Sequence, residues 1–87
     1  MKILTLAYDI VEMVKGKAAI EAMDVINVGI EIEDAAENLS DAIPSIVARL
    51  FTLSNPGLAA NLPAGVPDAL MQQALSLIAD IGNGKYR

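Results

Sequence analysis

Eighty-seven residues without a cysteine or a histidine cannot be steadied by disulfides or by the usual structural zinc site. The net charge is −5, with seven acids and no base between Lys17 and Arg49, which sets the chain against nucleic acid, whose phosphates are held by clustered lysine and arginine. Apolar residues make up 54% of the chain and its aromatics are Tyr8, Phe51 and Tyr86, so the expected class is all-α, a single helical domain over residues 1–87 with a core of alanine and aliphatics. A chain this short buries only about 60–65% of its unfolded surface, and regular helix packing or oligomerisation is the remaining aid.

Lys2 gives a basic start, but Asp9 and Glu12 interrupt the apolar segment that a secretory signal needs. From Ile3 to Val14 the pattern is that of an amphipathic helix, with Ile3, Leu6, Ala7, Ile10, Met13 and Val14 on one side and Thr5, Asp9 and Glu12 on the other. At Gly16 the chain is expected either to bend or to run on with a defect, and two helices in loose register are favoured.

The stretch from Lys17 to Asp41 predicts a long central helix. Its apolar seam alternates a small column, Ala22, Gly29 and Ala36, with a growing one, Ala18, Val25, Ile32 and Leu39, in the four-three spacing of coiled-coil cores. A rival strand pattern, in which Ile26, Val28, Ile30 and Ile32 alternate with polar residues or glycine, covers only eight residues. Glycine inside a helix costs about 1 kcal/mol against alanine, so Gly29 predicts close approach of another backbone. The seam implies three or four helices packed as an antiparallel hairpin or bundle, in an oligomer.

Ser40 offers a restart, capping a new helix with Asp41 in its first turn and Pro44 early enough to spare the ladder. Ile43, Ile46, Val47, Leu50 and Phe51 form its apolar face, and Asn55-Pro56-Gly57 ends it. The uncharged run from Leu50 to Pro67 is too broken by proline and glycine to span a bilayer. Residues 55–66 read instead as a loop lying against protein or lipid. A last helix should have Pro67 in its first position and Gly82 just after its end, its apolar face being Leu70, Met71, Ala74, Leu75, Leu77, Ile78 and Ile81. The tail from Asn83 to Arg87 is expected to fray.

Chemistry finds little purchase. Ser40, Ser45, Ser54 and Ser76 have no histidine to activate them, and Gly82-Asn83-Gly84-Lys85 follows a helix and precedes none, so it is no phosphate loop. No cofactor is expected. Glu31, Glu33, Asp34, Glu37 and Asp41 form the one concentration of potential ligands, with Asp34, Asn38 and Asp41 spaced along one helical face. Because a regular helix does not wrap the six or more oxygens that calcium wants, this acidic surface suits a basic protein partner better than a metal.

The expected function is that of a non-enzymatic structural or assembly subunit that acts by helix packing within a virion, filament or multi-subunit complex. Its partners would be further copies of itself or other protein subunits, with a location in the cytoplasm or an assembled particle. One alternative is a membrane-associated or membrane-perturbing helical protein. Another is an acidic inhibitor or chaperone of a basic protein.

Overall fold

The computed structural model describes residues 1–57 and 65–87, so part of the expected 55–66 loop lies outside the described residues. Helix α1 spans Ile3–Lys15, a short 3-10 turn follows at Lys17–Ala19, and helices α2, α3 and α4 span Ala22–Asp34, Leu39–Ser54 and Asp68–Gly82. Among the described residues there is no strand.

Helix α1 ends where the sequence puts its first glycine. Gly16 adopts φ 83°, a conformation that side chains with a Cβ avoid, and its N–H donates to the Glu12 carbonyl at 2.8 Å. The chain therefore bends here. Ile20 and Glu21 are extended, and α2 starts after them.

The expected continuous helix from Lys17 to Asp41 is not formed. That stretch holds the 3-10 turn, all of α2, a bend at residues 35–37 and the start of α3. Ala35 N–H is shared between the Glu31 and Ile32 carbonyls, and Asn38 N–H donates to Ala35, so the helix tightens and stops. Two forces favour the break. Glu31, Glu33 and Asp34 crowd the last turn of α2, where the helix dipole disfavours negative charge. Beyond that, Val28 and Ile32 on α2 and Ile43, Val47 and Leu50 on α3 all enter one core, which a single straight rod could not arrange.

Helix α3 begins two residues earlier than expected from Ser40. Asn38 is its N-cap, with no side-chain hydrogen bond, and the first helical bond runs from Ala42 N–H to the Asn38 carbonyl at 2.9 Å. Pro44 thus falls in the second turn and leaves the Ser40 carbonyl without its usual donor. Ser40 is exposed, so water can serve it. The stop at Asn55 is where the sequence placed it.

The tail does not fray. Gly84, at φ 87°, and a bond from Lys85 N–H to the Asp80 carbonyl close α4 with a Schellman-type cap. Tyr86 then folds back onto α1, is 2% exposed, and donates its hydroxyl to Asp9 Oδ2 at 2.6 Å. Its carbonyl accepts from Lys2 N–H at 2.6 Å.

The core draws Leu6, Ile10 and Val11 from α1, Val28 and Ile32 from α2, Ile43, Ile46, Val47 and Leu50 from α3, and Ala74 and Leu77 from α4, with Tyr86 closing it. No charged residue is buried among the described residues. The radius of gyration is 12.4 Å, against about 12 Å for a compact chain of this length. Among the described residues no helix is long and apolar enough to cross a membrane.

Candidate interaction surface

Helices α1 and α2 pair closely because of Gly29. A Cβ placed there would lie 3.3 Å from Leu4 Cδ2, 3.7 Å from Ile3 Cγ2 and 3.9 Å from the Ala7 Cβ. The close neighbour that this glycine accommodates is α1 of the same chain.

The sequence seam is accordingly divided. Gly29, Ile32 and Leu39 are buried and Val25 is half-buried, all within the fold. Ala18, Ala22 and Ala36 are exposed. Ala18 sits in the 3-10 turn and Ala36 in the bend, so the seven-residue repeat no longer corresponds to one stripe.

A different apolar face is left open. Leu4 and Tyr8 stand one turn apart on α1, and Ile26 and Ile30 one turn apart on α2, with Met23 beside them. Leu4 is 63% exposed although it lies over Gly29, and Ile30 is 53% exposed. On α2, Gly29 occupies the margin between the buried face of Val28 and Ile32 and the outer stripe of Ile26 and Ile30. Leu4 and Tyr8 occupy the matching margin of α1 outside Ala7 and Val11, so the four side chains line one side of the helix pair. Helical spacing in the sequence shows Ile26 and Ile30 as apolar positions, but it does not say which apolar positions the fold will leave uncovered.

The acids behave unequally. Asp24, in the first turn of α2, accepts a 2.5 Å bond from Lys15 Nζ, with both side chains partly exposed. That hydrogen bond raises the Lys15 ammonium above its ordinary range, against a smaller opposing push from desolvation. Glu31 pairs with Arg49 of α3 beside a shallow hollow of about 400 Å³ that Asp34, Ala42 and Ser45 also line. Asp41 lies in the first turn of α3, where the dipole favours it. Glu33, Asp34 and Glu37 are exposed and make no ion pair among the described residues. The bend between α2 and α3 also removes the regular spacing of Asp34, Asn38 and Asp41, and no group of three acids among the described residues is placed to hold a metal ion.

Tyr86 is the residue that sequence reading missed. Burial raises its phenol well above the ordinary range, and the bond to Asp9 and the nearby Asp9 and Asp80 carboxylates push the same way. A tyrosine two residues past Gly84, a helix-ending glycine, was the available signal. Comparison with protein-family models, curated proteins and solved structures finds no match to this chain.

Proposed function

We propose that this protein is a non-enzymatic subunit that acts by helix packing within a larger protein assembly, and that the open face of α1 and α2 makes the contact. The observation that carries the reading is the cluster of Leu4, Tyr8, Ile26 and Ile30, each 42–63% exposed, on two adjoining helices. Fully burying such a side chain contributes about 1.5–3 kcal/mol, so covering the exposed half of each offers on the order of 1 kcal/mol apiece. The pairing of Lys15 with Asp24 and of Leu4 with Gly29 supports an antiparallel α1–α2 hairpin as the unit that presents this face.

A membrane role is less well supported, because helices that lie on anionic lipid carry lysine and arginine beside their apolar stripe, and here Glu33 and Asp34 stand there. The test of the assembly reading is light-scattering mass at micromolar concentration for the parent and for Ile26→Glu/Ile30→Glu, alone and with the basic helical peptide described below. The parent should exceed its 9.1 kDa monomer mass in at least one condition, and the variant should not, while keeping its helical circular dichroism. A parent that stays monomeric in both conditions removes the reading.

A further inference from the structure

We infer that the open α1–α2 face receives an amphipathic helix from a basic partner protein, with lysine or arginine beside that helix's apolar stripe meeting Glu33 and Asp34. This rests on the assembly reading and names the partner's chemistry. Shape supplies the first argument: pairs of side chains one turn apart on two close-packed helices form a long apolar strip, which another helix can cover with anchors at i, i+3, i+4 and i+7.

Charge decides which helix. Glu33 lies seven residues from Ile26 and three from Ile30, and Asp34 four from Ile30, so both acids flank the strip's end. They stand in the last turn of α2 with no basic residue in that turn and no ion pair among the described residues. The other acids of α2 are answered, Asp24 by Lys15 and Glu31 by Arg49. Local folding would favour cations where Glu33 and Asp34 are, so their presence is explained by a cation from outside.

A second copy fits this face less well. Each chain carries −5, and two copies meeting at the same strip would bring like-charged rims together. Lys15 and Lys17 are turned to Asp24 and Glu12, which leaves Lys2 as the one base of α1's start, without an ion pair among the described residues.

The experiment is fluorescence anisotropy of the full chain with two labelled synthetic helices that share one leucine stripe, one flanked by lysine and arginine and the other by glutamate. The basic helix should bind and the acidic one should not, and raising salt from 0.1 to about 0.5 M should weaken binding, since screening shortens to a few ångströms. Glu33→Gln/Asp34→Asn should lose about tenfold in affinity, whereas Gln72→Lys/Gln73→Lys on α4, with the same change in net charge, should stay within about twofold. Equal binding of both helices, or equal loss in the two variants, overturns the charge assignment. Binding of neither helix by a chain that forms dimers alone makes the occupant a second copy and overturns the proposal, while the assembly reading survives. Flotation with neutral or anionic vesicles in place of helix binding also overturns it, in favour of lipid.

Discussion

The two ends of α2 carry the same kind of side chain in opposite circumstances. At the first turn Asp24 has the helix dipole in its favour and Lys15 against it at 2.5 Å, within one chain. At the last turn Glu33 and Asp34 have the dipole opposed and make no ion pair among the described residues. The difference teaches that an acid's meaning lies in what the fold sets beside it. One end of the helix is electrostatically complete and the other is not.

The largest effect expected is from Asp24→Lys, which sets two ammonium groups together where α1 and α2 meet. Chemical denaturation should show the largest loss of stability in this series, and unchanged stability would mean that the pair does not tie α1 to α2. In the middle of the helix, Gly29→Leu should cost about 1–3 kcal/mol because it must force α1 away. Gly29→Ala should behave differently. Its new methyl meets the tip of Leu4, which is free to swing outward, and the gain in helix propensity is up to about 1 kcal/mol, so equal or raised stability is expected.

Tyr86→Phe tests whether α1 is held on its other side independently of α2. It should cost about 1–2 kcal/mol by removing a hydrogen bond to a carboxylate. It should also blunt the response to alkali. The phenol's folded pKa is raised above 10.0, so once the pH passes about 10 the unfolded chain gives up its proton while the folded one keeps it, and stability falls as pH rises further. Lys15 acts in the same direction, since its raised ammonium contributes fully below 10.5 and is lost above. Thermal melts of parent and variant at pH 8 and pH 11 should therefore show the larger drop in the parent.

The smallest effect has the most telling sign. Glu33→Lys should stabilise the isolated chain by about 0.3–1 kcal/mol, because it puts a cation at the helix's negative end. Charge reversal would thus help at one end of α2 and harm at the other. A loss at both ends in denaturant titrations would show that Glu33 has an intramolecular role.

Much of this fold was legible from periodicity. The faces of α1 and α3 follow the apolar spacing, that of α4 does so apart from Leu75, which is exposed, and Gly16 and Asn55 stop their helices as their chemistry suggests. The bend at residues 35–37 was not legible, because Ala36 and Leu39 keep the repeat running through it. A repeat reports which residues want burial, but not whether one rod or two shorter helices will bury them. Gly29 is the intermediate case. Its need for a close neighbour could be read, while the neighbour's identity, α1 rather than another chain, depended on a turn between them. Of the open face, the apolar residues were visible and their exposure was not, since exposure is decided by where α3 and α4 pack.

The contact between Lys2 and Tyr86 makes the backbone nearly a closed circuit. A circuit has no privileged starting point. Residue 87 could be joined to residue 1 through a short glycine linker and the chain reopened at the exposed residues 36–37, keeping the core contacts while changing the order of synthesis to α3, α4, α1, α2. In such a permuted chain, the helix pair that meets at Gly29 would be completed last.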